Sequence, residues 1–256
     1  MTSIAISVAI GFFAFGLGMA GLYLQRFLPK QHMSTGSKEM IGAIMGLVSL
    51  LLALVLGTLV GSAYGFFATQ KANVETLCAR SLELDLAFRQ YGAETQPLRD
   101  SLKASMTGAY NAIWGDGATY QQQFDLGSYM SRFEKWNETL SSLDPRTPAQ
   151  TRLLSSMTAS SSSYQQTRML TSLQLASPVS WPLIMIVVSW AMLLFFGFGV
   201  LSGLNSTSTA SLALGSFAVA SAIFLILELS QPYTGLFRIP AASMERTLAA
   251  LGGAPT

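Results

Sequence analysis

Charge is what this sequence has least of. Of its 256 residues, 11% are Asp, Glu, Lys or Arg, while 50% are hydrophobic; a soluble domain carries about 25% charged residues. The shortage is uneven, because residues 1–25, 40–70 and 169–227 contain no charged side chain at all. Uncharged runs of that length exclude a large soluble core and mark an integral membrane protein. Cysteine is almost missing as well. Cys78 stands alone, which excludes an internal disulfide and cysteine-built metal sites. His32 is the single histidine, so zinc sites and Ser-His-Asp chemistry both lack their parts. A net charge of +2 argues against a nucleic-acid partner. Nothing in this inventory calls for a metal or a cofactor, and the reading is of a protein that is not an enzyme.

What is present is apolar and helical. A helix crosses the hydrocarbon core with about 20 apolar residues, and four stretches qualify: 4–24, 40–67, 182–204 and 208–227. The first lacks a basic leader and is too long for a signal h-region, so it reads as a retained span. The second is longer than needed and either tilts or continues as a helix beyond the membrane. Aromatic residues near the span ends, Tyr23, Phe27, Trp181, Tyr233 and Phe237 among them, suit interfacial belts.

Between the second and third spans the pattern turns amphipathic. Val74, Leu77, Ser81, Leu84, Phe88 and Tyr91 alternate three and four apart, a seam that runs straight on from the second span. Pro97 can open a further helix, with Leu98, Leu102, Met106, Ala109 and Ile113 on one face, up to the break at Gly115-Asp-Gly117. Tyr129, Phe133, Trp136, Leu140 and Leu143 mark the next helix. Thr147-Pro-Ala-Gln150 has the form of a capping box with Pro at N1, and predicts a long helix from there to about Ala176. No strand-like alternation of useful length occurs. The predicted fold class is therefore an all-α integral membrane protein, four transmembrane helices with a helical-bundle insert between the second and third. The domains read as 1–69 (two spans and a short basic loop), 70–178 (insert), 179–230 (two spans) and 231–256 (interfacial tail). Arg26, Lys30 and Lys38 in the first loop favour its cytoplasmic placement and hence an insert on the outer side of a bacterial inner membrane.

The motifs divide into packing and candidate function. Gly16-Leu-Gly-Met-Ala-Gly21 fits G-x-G-x-x-G, but it lies inside an apolar run with no preceding strand, so it reads as small residues at a helix contact. In the second span Ala53, Gly57, Gly61 and Gly65 recur at four-residue steps. Such a stripe lets another backbone come close, within one subunit or between subunits, or it lines a pore. Ionisable groups at depth, which proton-coupled pumps need, are absent apart from Glu228 at the end of the fourth span. The hydroxyls of Ser49, Thr58, Ser62, Ser189, Ser216 and Ser221 could line a passive path or serve as helix glue. Past Glu228, Pro232 stops the helix and Gly235 lets the chain turn. Glu228 at the interface need not be buried, Tyr233 and Phe237 can sit among headgroups, and Arg238 can reach back to Glu228 or to lipid phosphate. Ser243 to Leu251 would form a short amphipathic helix with Met244, Leu248 and Leu251 on one side.

Three stretches carry a family resemblance. Glu228-Leu-Ser-Gln231-Pro232-Tyr233-Thr-Gly235-Leu-Phe-Arg238-Ile resembles the ending of a bacterial membrane family labelled bestrophin-like. Leu28-Pro29, His32-Met-Ser34 and Ser37-Lys38 resemble its first loop, and Gly46-Leu with Leu52 to Gly57 its second span. Where that family has a lysine and then an aspartate after Ser62-Ala63, this chain has Tyr64 and Ala68. The resemblance implies likeness to bestrophins, which are pentameric anion channels whose second helix lines the pore and whose helical insert is cytoplasmic. By that likeness Val55, Leu56, Leu59 and Val60 would line a hydrophobic neck beside the glycine stripe. The expected function is thus an oligomeric, multi-pass, channel-like homo-oligomer surrounded by membrane lipid. The alternative is a membrane sensor or assembly factor whose insert binds a small ligand or a partner protein.

Overall fold

The computed structural model describes residues 2–27, 35–115, 126–175 and 181–252. Among them there is no strand. The elements are α1 (Thr2–Phe27), α2 (Thr35–Tyr91), a single 3-10 turn (Ala93–Thr95), α3 (Gln96–Trp114), α4 (Leu126–Ser141), α5 (Pro148–Leu175), α6 (Trp181–Leu201), α7 (Ser206–Leu229) and α8 (Ala242–Ala250). Four of these, α1, α2, α6 and α7, are long and apolar enough to cross a membrane.

The chain divides into two compact units, one of residues 1–67 and 179–237 and the other of 68–178 and 238–256. The first is held by close helix contacts. Gly21 of α1 lies against α6 so tightly that a Cβ there would strike the Phe196 carbonyl oxygen, and one on Gly199 would strike the Gly18 carbonyl oxygen. Gly18 and Gly21 are therefore packing glycines, two backbones in contact with no side chain between them. Gly16 has open space around its Cβ position. Apolar clusters fill the rest: Met45 and Leu52 of α2 with Val187, Ala191 and Leu194 of α6, and Ala63 with Ile184, Ile223, Ile226 and Leu227. Asn205 caps α7, its side chain accepting from the Ser208 N–H at 2.7 Å; such a cap stabilises a helix by about 1 kcal/mol.

The second unit follows the amphipathic pattern. Of the predicted seam, Val74, Ser81, Leu84, Phe88 and Tyr91 are buried, and Phe88 meets Trp136 of α4 with ring centroids 5.9 Å apart. On α3, Leu98, Leu102, Met106 and Ile113 are buried. The α2 helix ends at Gly92, whose φ of 131° suits glycine alone. Thr95 seals that end by donating to the carbonyls of Phe88 and Gly92. The capping box at the start of α5 forms: Gln150 N–H donates to Thr147 Oγ1 at 3.1 Å, and Gln150 Oε1 accepts from Arg146 N–H at 2.9 Å.

Among the described residues of this unit Asp85 is a buried charge, 6% exposed. It accepts from Arg89 at 2.7 Å and from Arg99 of α3 at 2.8 Å. Its sequence neighbour Glu83 is exposed and accepts from Ser160 of α5 at 3.1 Å.

Candidate functional site

Two places collect the candidate residues. The first is the membrane-length part of α2. The candidates there divide into four that meet the chain's own apolar clusters and four small residues that are exposed. Leu56 and Leu59 are half-buried against the α2–α6 and α2–α7 clusters, Val55 against the first and Val60 against the second. Ala53, Gly57, Gly61 and Gly65 are exposed, and a Cβ added at any of the three glycines would meet nothing within 4 Å. The Cβ side of the three glycines thus faces open space. Leu50 and Leu54, 72% and 65% exposed, lie on this same open face, and so does Thr58. The two leucines escaped the sequence reading, though projecting 50, 54, 57 and 61 onto a helical wheel groups them.

The hydroxyls on these helices are largely spent. Ser49 donates to the Met45 carbonyl at 2.8 Å, Thr58 to Val55 at 2.9 Å and Ser189 to Ile186 at 2.7 Å. A hydroxyl bonded to its own preceding turn keeps acceptor capacity but has no free donor. The open face of α2 therefore carries no charge and combines the small residues with the exposed Leu50, Leu54 and Tyr64.

The second place is the turn after α7. Glu228, expected at an interface where it need not be buried, is 3% exposed. Its partner is the chain itself: Oε1 accepts from the Leu236 N–H. The intervening residues fold back in tight steps, with Gln231 N–H donating to the Glu228 carbonyl at 3.1 Å and Thr234 N–H to the Gln231 carbonyl at 3.2 Å. Pro232 is buried, and Tyr233, assigned from the sequence to a headgroup belt, is 9% exposed and belongs to the interior of the turn. Gln231 is exposed, yet its Oε1 accepts from Thr234 Oγ1 at 3.2 Å. Gly235 has φ 86°, and any Cβ there would run into the Glu228 carboxylate. Two separate demands thus fall on one glycine.

Arg238 opens the last part of the chain, in the second unit, and is exposed. Beyond it Trp114 Nε1–H donates to the Ile239 carbonyl at 3.0 Å and Tyr110 O–H to Glu245 at 3.1 Å. The apolar side predicted for α8, Met244, Leu248 and Leu251, is buried. Arg89 and Lys103 donate to the carbonyls of Ala250 and Gly252, at 3.2 Å and 2.5 Å. Cations at the C-terminal end of a helix are favourably placed against its dipole. The Tyr110 hydroxyl is held above its usual range, first by its hydrogen bond to Glu245. Cys78 Sγ lies 3.8 Å from Met244 Sδ, and burial pushes its thiol up.

Of the first-loop motif, Leu28, Pro29, His32 and Ser34 lie outside the described residues, and Lys38 is an exposed residue of α2. Among the described residues no three His, Cys, Asp or Glu side chains gather to hold a metal.

Comparison with known proteins follows the same outline. The chain superposes on a bacterial bestrophin homologue from Klebsiella pneumoniae with a TM-score of 0.64, covering 95% of this chain and 99% of that one at 14% identity. Two single-site variants of the Klebsiella pneumoniae homologue match at TM-scores of 0.67 and 0.64, with identities of 12% and 16%; 95% of this chain and 97% and 99% of theirs are covered. At such identities the likeness is one of fold. No curated protein matches the chain. The model of the Bestrophin-like domain matches residues 12–244, which is most of the sequence. With its apolar helices and all-helical fold, the chain is a membrane protein that belongs to the bestrophin-like family.

Proposed function

We infer that the chain is the subunit of an oligomeric membrane channel, with α1, α2, α6 and α7 crossing the bilayer and the open face of α2 lining a passive path. The observation that carries this reading is that face itself. Over Ala53, Gly57, Gly61 and Gly65 it is exposed, uncharged and small, with open space where a Cβ on any of the three glycines would stand, while Leu56 and Leu59 of the same helix are packed. A row of small side chains leaves room for a column of water, and Leu50 and Leu54 beside it form an apolar constriction that gates by wetting. The absence of charge along 40–70 and 169–227 fits a passive path rather than a pump. Anion selectivity comes from the family likeness. The chain's own loop charges, Arg26, Lys30 and Lys38, favour an outer insert, opposite to the bestrophin arrangement.

Halide flux into liposomes tests the reading. Wild-type protein should conduct, and Leu54→Arg, on the open face, should change halide selectivity while leaving the helical content intact. Leu56→Arg, against the chain's own core, should instead impair folding. A well-folded oligomer that passes no halide would remove the channel reading. A second reading keeps one observation of its own: Leu82, Leu86, Leu170 and Leu173 of the second unit are 40–57% exposed, a surface for a partner protein in a sensor or assembly factor. Co-purification of a stable partner together with absence of flux would favour it.

A further inference from the structure

The face of α2 is not the only feature of the first unit left unfilled. Between α1 and α7 runs a groove of about 580 Å³, within the roughly 300–1,000 Å³ of small-molecule sites. Its floor is made of small residues. A Cβ on Gly11 would come within 3.0 Å of the Ala220 Cβ, and Ser7 and Ser216 are buried beside them. Its walls are phenylalanines, with Phe12 and Phe217 at the rim, both 73% exposed. No charged residue lines it.

The three serines decide what such a groove can take. Ser7 donates to the Ser3 carbonyl at 2.8 Å, Ser216 to Ala213 at 2.9 Å and Ser221 to Phe217 at 2.8 Å. Every hydroxyl donor is already used within its own helix, so the groove offers contact area and no directed donor. Ordered water needs two to four polar partners and gains little there; a charged headgroup would be left unpaired. What complements an uncharged, donor-free, phenylalanine-walled groove of this volume is a hydrocarbon chain.

We propose that the groove between α1 and α7 holds one acyl chain of a bilayer phospholipid. The proposal rests on the reading that α1 and α7 cross the membrane. The groove is continuous with the apolar surface of Phe12, Leu214 and Phe217, each more than 70% exposed. A chain can therefore enter it sideways without leaving the hydrocarbon. Held there, it covers the seam between α1 and α7 at Gly11, Ser216 and Ala220.

Native mass spectrometry of the full-length protein, purified in mild detergent, tests this. Ala213→Phe and Ser221→Phe each place a ring into the groove from different turns of α7. Ala213 is exposed and Ser221 half-buried, so neither ring enters the core, and either folded variant suffices. Wild type should retain a phospholipid mass, and the filled variants should retain about tenfold less, a loss of roughly 1.4 kcal/mol in affinity, with unchanged helical circular dichroism. Equal retention in wild type and variants, no lipid on wild type, or a retained mass that is detergent or free fatty acid would overturn the proposal. Alkaline carbonate extraction of membranes reads the underlying premise separately: release of the chain would mean that no helix, α1 and α7 included, crosses the membrane.

Discussion

Glu228 and Gly235 settle the turn after α7 between them, and each explains the other. The carboxylate is buried and accepts from a backbone N–H eight residues on, and the glycine supplies both the positive φ and the empty space the carboxylate occupies. Gly235→Ala should cost about 1–2 kcal/mol for the left-handed backbone, plus the displacement of Glu228, and so should lower the thermal midpoint clearly. Glu228→Gln keeps an acceptor for the Leu236 N–H and should be mild; Glu228→Ala leaves that N–H unpaired and should cost about 1–3 kcal/mol. A melt in which Gly235→Ala matched wild type would contradict this account. The sequence showed a carboxylate, a proline and a glycine in the right order for a turn. It did not show that the carboxylate is buried, because a charged residue at the end of an apolar run suits an interface equally well, and only the return of the backbone to Leu236 separates the two cases.

At the scale of the element, α2 shows where hydrophobic pattern informs and where it is silent. In its part beyond Phe67, polar and apolar residues alternate with helical period, and the predicted seam is largely the buried one. In its part from 40 to 67 both faces are apolar, so the pattern has no contrast from which to separate an inner from an outer side. The pattern alone therefore does not separate Val55, Leu56, Leu59 and Val60, which pack within the chain, from Gly57 and Gly61, which have open space beside them. The glycines themselves then make a test. Nothing lies near the Cβ positions of Gly57 and Gly61, so Gly57→Ala and Gly61→Ala should each leave the protomer intact and stabilise α2 by up to about 1 kcal/mol through helix propensity. Gly21→Ala, driven into the Phe196 carbonyl, should disrupt the α1–α6 contact. If the open stripe is used by a neighbouring copy, the α2 substitutions should lower the oligomer fraction on size exclusion while helical content holds. Destabilisation of all three variants alike would mean that the stripe is buried within one chain.

At the scale of the whole molecule, neither unit is continuous in sequence: each is closed by a segment that returns late in the chain. Local pattern predicts a short amphipathic helix at the C-terminal end and leaves it either as an interfacial membrane anchor or as a lock between tail and insert, since its apolar side has no partner nearby in sequence. The partners lie far upstream, as Cys78 and Met244 show, 166 positions apart in sequence. Met244 and Thr247, both buried, cover the Cys78 thiol, which is outside the 40–67 span and serves as a reporter of the docked tail. Burial raises its pKa above the ordinary 9.0, so the folded state keeps its proton longer than the unfolded one. The stability this contributes is fully present below the unfolded value and is lost as pH rises through the higher folded one. Tyr110, raised above its ordinary 10.0 by the bond to Glu245, adds a loss of the same sign at higher pH. In wild type, maleimide should therefore label Cys78 slowly at neutral pH, and docking should weaken only in alkaline solution. Removing residues 238–256 should raise the labelling rate at neutral pH by about tenfold or more, since exposure and a normal thiolate fraction both favour attack. Fast labelling of the intact chain would mean that the tail is not docked, and an unchanged rate after truncation would mean that α8 is not what shields the thiol.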